Sequence, residues 1–258
     1  MKKRTSFQIF TSVVMALFLR EVQTKFGTKK LGYFWAIFDP MSQVIIFSTI
    51  KMALSDRAMQ GMDYPVFLAT SFLTYNIFKV ALSSQAAFKS NKALFSYKQV
   101  KPFDAIVSRY LLEFLVMCLT IIIFLLFGLY IDLDIGVKNL NMVLLAVAWF
   151  TVFSFGIGLL IAVLSTFYET FAKLIGVMGL PLFFVSGLMF TVDSLPPTVR
   201  EYLLYNPVLH FMEMIHGNYF NVLDTRYVDY TYMFLWTIIP LFIGLFFYIR
   251  SEKKIIAS

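Results

Sequence analysis

The chain divides into six long apolar windows separated by short polar stretches. They run Leu31–Leu54, Pro65–Phe88, Ala105–Ile131, Leu140–Leu164, Ala172–Val192 and Tyr230–Ile249. Each is close to the about 20 residues a helix needs to cross a hydrocarbon core of about 30 Å. The third is the cleanest; the first is interrupted by Asp39-Pro40 and carries Lys51 near its end. Ahead of them, Phe7, Phe10, Val14 and Leu17 fall at i, i+3, i+7 and i+10, one stripe of a helix, followed by Arg20, Glu21 and Lys25. This predicts an amphipathic helix lying at a membrane interface. No continuous apolar run with a small-residue cleavage site follows the basic start, so a signal peptide is not expected. Between the fifth and sixth windows, Pro181 should break or kink a helix. Two short apolar helical pieces follow, opened by the turns Pro196-Pro197 and Asn206-Pro207. They are too short to span, which predicts re-entrant or interface-lying helices.

Composition makes the apolar solvent unavoidable. Apolar residues are 59% and charged residues 14% of the 258, against about 45–50% and about 25% in soluble domains. One Cys excludes an internal disulfide framework, and two His with one Cys argue against a zinc or haem centre. His210, Glu213 and His216 sit at i, i+3 and i+6, but the two His diverge by about 120° around a helix. No metal site is expected there, only hydrogen bonding at the outer surface.

Charge then fixes orientation. Fifteen Lys and Arg fall in the termini and alternate loops, among them Lys2, Lys3, Arg4, Lys29 and Lys30; four (Arg57, Lys138, Arg200, Arg226) fall on the other side. The positive-inside rule places both termini in the cytoplasm. The net charge of +7 is therefore topology and headgroup attraction rather than a nucleic-acid footprint. The expected fold is an all-α membrane protein of one domain, 1–258: a cytoplasmic interface helix over 1–30, six transmembrane helices over 31–249 with short re-entrant helices between spans five and six, and a cytoplasmic tail over 250–258. Three basic residues remain inside spans. Arg109 is four residues from Glu113, which predicts a pair; Lys51 should snorkel to the outer end; Lys79 must face protein or water. Gly156-Ile-Gly158 and Gly176-Val-Met-Gly179 permit close helix packing, within one protomer or between two.

The order Pro181-Leu-Phe-Phe-Val-Ser-Gly187, Ser194-Leu-Pro-Pro197, Asn206-Pro207 resembles the signature region of ABC-2 type exporter permeases. The resemblance extends over nearly the whole chain. The basic helix leading into Lys30-Leu-Gly-Tyr-Phe-Trp-Ala-Ile-Phe-Asp-Pro40 is similar to the LGxxWxxxxP opening of polysaccharide-exporting members. Phe103-Asp104 and the Glu169 loop also match. The combination is most similar to the inner-membrane permeases of group 2 capsular polysaccharide exporters.

The resemblance implies a homodimer in the bacterial inner membrane, each protomer docking a separate ATP-binding cassette ATPase, with periplasmic and outer-membrane capsule export proteins downstream. It implies ATP-driven export of an anionic polysaccharide, with or without a lipid terminus. The chain itself has no GxxxxGK[ST] phosphate loop, so no catalytic residue, cofactor or metal is expected in it, and ATP and Mg2+ belong to the partner. Residues Phe88, Lys89, Lys92, Phe95 and Tyr97 correspond to the family's coupling helix. Tyr33, Phe34, Trp35 and Phe38 of span one, with Phe183, Phe184 and Phe190 of span five and Lys79, would line the channel, since aromatic faces stack on sugar C–H faces without binding them tightly. The alternative for these rings is lipid contact. Asp39 would repel an acidic polymer and should cap, pair or point away from the path. Leu195, Pro196, Pro197, Asn206 and Pro207 would form a periplasmic gate. O-antigen, teichoic acid, lipid or drug are alternative cargoes. A membrane enzyme acting on lipid-linked sugar is the remote alternative, because Asp132, Asp134, Asp193, Asp224 and Asp229 are scattered rather than gathered at one face.

Overall fold

A computed structural model describes residues 5–27, 30–54 and 61–257, and among these every regular element is helical. Lys2, Lys3, Arg4, Lys29 and Arg57 of the charge pattern lie outside the described residues. α1 (Ser6–Phe26) opens with a reciprocal cap: Thr5 Oγ1 accepts from Gln8 N–H at 3.3 Å and Gln8 Oε1 accepts from Thr5 N–H at 3.0 Å. Then follow α2 (Lys30–Leu54), α3 (Tyr64–Leu82), α4 (Gln85–Asn91) continuing into a 3-10 turn (Lys92–Ser96), α5 (Pro102–Tyr130), α6 (Leu140–Phe167), α7 (Glu169–Val185), α8 (Pro197–Leu203), α9 (Pro207–Tyr219) and α10 (Tyr230–Ala257). Among the described residues four helices are long and apolar enough to cross a membrane: α3, α5, α6 and α10. α7, the expected fifth span, stops at 17 residues. α2, the expected first, has the length but carries Asp39, Pro40, Ser42 and Gln43 at its middle.

Two expected boundaries move. The second window ends at Leu82 rather than Phe88, because the hydroxyls of Ser83 and Ser84 donate back to Lys79 and Val80 carbonyls and the chain turns into α4. The fifth stops at Val185, where Ser186 donates to Leu182 O and Gly187 adopts φ +74°. Pro40, by contrast, leaves α2 unbroken.

α3 lies at the centre, with Phe67, Leu68, Phe72, Tyr75 and Ile77 all buried. α6 packs along α10 and crosses α3. Both helices approach at glycine: a Cβ on Gly156 would lie 3.0 Å from the Leu241 backbone, and one on Gly158 within 3.0 Å of Ser84, Tyr110 and Ala81. This glycine pair therefore serves packing inside the protomer. The second pair differs: Gly176 has nothing within 4 Å, Gly179 touches only the Leu82 side chain, and α7 buries a single residue, Ala172. Its Leu174, Val177, Leu180 and Phe184 are exposed.

Candidate functional site

On the end of the molecule that holds α1 and α4, a polar network ties three helices. Arg20 of α1 donates to Asn91 Oδ1 at 2.5 Å and to Ser90 O at 2.7 Å. The Asn91 amide donates to Glu21 Oε1 at 3.1 Å, and Arg109 Nε of α5 donates to Glu21 Oε2 at 3.2 Å. Arg109 also reaches Ser83 O at 3.3 Å, at the C-terminal end of α3, where a cation is favoured. The pairing expected between Arg109 and Glu113 does not form: Arg109 turns to Glu21, and Glu113 takes Lys25 at 2.5 Å. α1 offers each α5 charge an opposite partner across the interface, whereas two residues four apart with Arg first pair poorly on one helix. Of the interfacial stripe, Val14 and Leu17 bury against α5 and the core, while Phe7 and Phe10 remain exposed.

α4 and its 3-10 turn sort the expected coupling residues into two sets. Phe88 and Phe95 are buried and meet edge to face at 6.4 Å, so their rings shape the segment from inside. Lys89, Lys92 and Tyr97 stand on the exposed side.

The expected channel residues gather on two helices that flank α3. Phe34, Trp35 and Phe38 form a mutual cluster with centroids 5.2–5.9 Å apart, all three exposed. The Tyr33 side chain lies outside the described residues. Phe183 packs on Phe72 and Tyr75 of α3 and meets Phe184 edge to face. Lys79 Nζ lies 5.9 Å from the Phe183 centroid, a cation–π contact that links the α3 charge to α7. Phe190 is half-buried beyond the end of α7. A cavity of about 360 Å3 opens between α1, α2, α3 and α5, with Trp35, Asp39, Asn76, Lys79 and the Lys25–Glu113 pair in its lining. Asp39 shares this cavity with Lys79, and among the described residues its carboxylate takes a long 3.4 Å bond from Gln43. Lys51 Nζ sits over the Tyr64 ring at 5.8 Å.

At the opposite end, the proline turns do what their chemistry allows. Pro196 and Pro197 open α8. Asn206 caps α9 by accepting from Val208 N–H at 3.0 Å, while its amide donates to Val185 O and Ser186 Oγ, tying α9 to the end of α7. Leu195 is half-buried beside them. Arg200 donates to Val192 O and Leu195 O, and the guanidiniums of Arg200 and Arg226 lie over the Tyr227 ring at 4.6 and 4.9 Å. Arg226 also pairs with Asp193.

His210, Glu213 and His216 each have separate partners: His210 the Leu204 carbonyl and Asp229 N–H, Glu213 the Val192 N–H at 3.1 Å, and His216 the Ser71 hydroxyl at 2.8 Å. Burial pushes the His216 imidazole down to about 3, so it is neutral. Burial, aided by the Asp224 charge and opposed by the Val192 hydrogen bond, pushes the Glu213 carboxyl up to about 7 from 4.5. In that window the folded state holds more protons at Glu213 than the unfolded state, so stability falls as pH rises through it. Glu213→Gln keeps an acceptor for Val192 and removes the titration. Thermal unfolding of the purified protein at about pH 5 and about pH 8 should show a drop in wild type and a much smaller one in the variant.

Some of these functional residues had no signal in the one-dimensional pattern. Glu21 and Asn91 read as ordinary polar positions; only the long-range pairing brings them together. The model for the ABC-2 type transporter family matches residues 12–220. The chain is 32% identical to the polysialic acid transport protein KpsM of Escherichia coli, over 99% of each chain. It is 25% identical to the capsule polysaccharide export inner-membrane protein CtrC of Neisseria meningitidis serogroup B, over 97% of this chain and 95% of that one. It is also 25% identical to the capsule polysaccharide export inner-membrane protein BexB of Haemophilus influenzae, over 94% and 92%.

Proposed function

This chain belongs to the ABC-2 type transporter family, and from that premise we propose that it is the permease subunit of an ATP-driven exporter of capsular polysaccharide across a bacterial inner membrane. The observation that carries the reading is end-to-end similarity to three differently named capsule or polysialic acid transport proteins, with no half of the chain left unmatched. Six crossings, made by α2, α3, α5, α6, α7 and α10, leave both termini in the cytoplasm, with the residues from Ser186 through α9 forming a periplasmic hairpin.

Two copies form the path. The nearly unburied face of α7, with open space at Gly176, is what a second protomer would cover. A helix so apolar that buries one residue of its own protomer needs either lipid or a partner, and its glycine favours close approach of another helix. The aromatic clusters of α2 and α7 then border the path, giving sugar rings flat apolar contacts that are easily exchanged. ATP and Mg2+ belong to a separate ATPase docking on Lys89 of α4 and on Lys92 and Tyr97 of the turn that follows it, and periplasmic and outer-membrane capsule export proteins receive the polymer. Movement of α4 is passed on by the Arg20–Asn91–Glu21–Arg109 network, because Asn91 would have to release both Arg20 and Glu21 for α4 to move alone, and Glu21 in turn holds Arg109 of α5. Arg200 and Asn206 hold the hairpin that closes the periplasmic end.

The test is genetic and biochemical together. Deleting the gene in an encapsulated host should empty the surface of capsule while polymer accumulates inside, and restoring it should reverse both. Co-reconstitution with the cognate ATPase should show hydrolysis stimulated by the polymer. Intact surface capsule in the deletion strain would overturn the reading.

A further inference from the structure

The cavity between α1, α2, α3 and α5 has an unusual lining for its place in an apolar bundle. Asp39 and Glu113 are acceptors only, Lys25 and Lys79 donors only, and Asn76 is both. Lys25 and Glu113 satisfy each other at 2.5 Å. That leaves Lys79, whose ammonium lies over the Phe183 ring with no carboxylate in ion-pair range among the described residues, and Asp39, with its single long bond from Gln43. Trp35 forms an aromatic wall, 58% exposed.

We propose that this cavity is a glycan subsite that seats a short piece of an acidic polysaccharide, Lys79 taking a sugar carboxylate, Asp39 and Asn76 taking ring hydroxyls, and Trp35 taking the C–H face of a ring. This rests on the transport reading above and goes beyond it by naming where and by what chemistry the chain is held. Each competing occupant leaves something uncompensated. An apolar molecule would cover Lys79 without giving its ammonium a partner, which is costly. A phosphate, free or on a lipid headgroup, would satisfy Lys79, but its oxygens do not donate to Asp39 and offer Trp35 no ring face. A sugar hydroxyl donates and accepts at once, so one ring satisfies an acceptor-only carboxylate and a donor-only ammonium in the same cavity. The volume of about 360 Å3 is at the low end of the roughly 300–1,000 Å3 of ligand sites, room for a short segment while the rest of the polymer stays in the path. Asp39 also limits affinity for an acidic chain, which suits a site that must release what it holds.

The experiment uses the full chain in nanodiscs of phosphatidylethanolamine and phosphatidylglycerol, titrated calorimetrically with a short sialic acid oligomer and a neutral glucose oligomer of equal length. Lys79→Met should weaken the acidic oligomer about tenfold and leave the neutral one unchanged, since a charge-assisted hydrogen bond is lost. Lys79→Arg should restore most of the loss, Asn76→Ala should weaken both oligomers, and Asp39→Asn should tighten the acidic one. Unfolding midpoints equal to wild type exclude a folding defect, and Lys79→Arg keeps the test open if Lys79→Met does not fold. Unchanged binding in Lys79→Met and Asn76→Ala would overturn the subsite. So would displacement of the acidic oligomer by equimolar glycerol phosphate with no binding of the neutral oligomer, which would mark a phosphate site. Capsule at the surface of cells carrying the wild-type gene is read separately. Export by wild type with unaltered oligomer binding in the variants removes the subsite alone, and absence of export by wild type removes the transport reading.

Discussion

Arg109→Ala is expected to destabilise the folded protein by about 3 kcal/mol, read as a lowered unfolding midpoint in detergent, because removing one partner strands the other's buried charge. Glu21 is only 7% exposed, and Arg109 is its sole cationic partner within ion-pair distance among the described residues. The Asn91 amide would remain to it, one neutral donor for a full charge. Glu21→Gln combined with Arg109→Ala should recover most of the loss, since no unpaired charge is then left; if the double variant is as unstable as the sum of the singles, the pair is not the cause. Arg109→Lys should fall between, because an ammonium keeps the charge but cannot reach Glu21 and Ser83 O together as the guanidinium does. The same substitution tests the proposed transmission. With the ATPase bound, Arg109→Ala should keep basal hydrolysis while losing stimulation by polymer, because α4 and α1 would move without the Arg109 link to α5.

Gly158→Leu should yield no folded protein, seen as loss of the monodisperse peak in detergent. A Cβ there would stand 2.7 Å from Ser84 Oγ and 2.8 Å from Tyr110 Oη, so those side chains must shift, and 3.0 Å from Ala81 Cα, a tight contact with backbone. Tyr110 cannot swing aside without giving up Ser154, whose carbonyl it donates to at 2.7 Å, and the Ala81 contact is backbone. Gly158→Ala should survive at a cost of about 1–3 kcal/mol, the usual range for an overfilled core. Gly176→Ala, where nothing lies within 4 Å, should leave the unfolding midpoint unchanged. The two glycine pairs look alike in sequence. They separate here because one lies at the crossing of α3, α5 and α6, and the other on the open face of α7.

How much was legible depends on the range of the interaction. The caps and turns were readable because they are local: Pro at the first helical position and Asn206 before Pro207 act on backbone a few residues away. The cleanest windows, α3, α5, α6 and α10, were readable because transfer of a long apolar run is set by composition. The helix ends at Leu82 and Val185 were misplaced because apolarity continues past them while hydroxyl back-bonding and a positive φ stop the helix. The charges were the least legible. Arg109 and Glu113 sit a turn apart, yet each finds its partner about 88 residues away on α1.

The sequence by itself determined the apolar solvent, the helical class and the family signature, since each follows from additive composition or local motif. The tertiary structure alone decided which charges pair, which of Phe88, Phe95 and Tyr97 turn inward, and that Asp39 and Lys79 share one cavity. Those outcomes depend on which helix lies against which, and a buried charge or ring settles on the neighbour that compensates it, however far away in the chain.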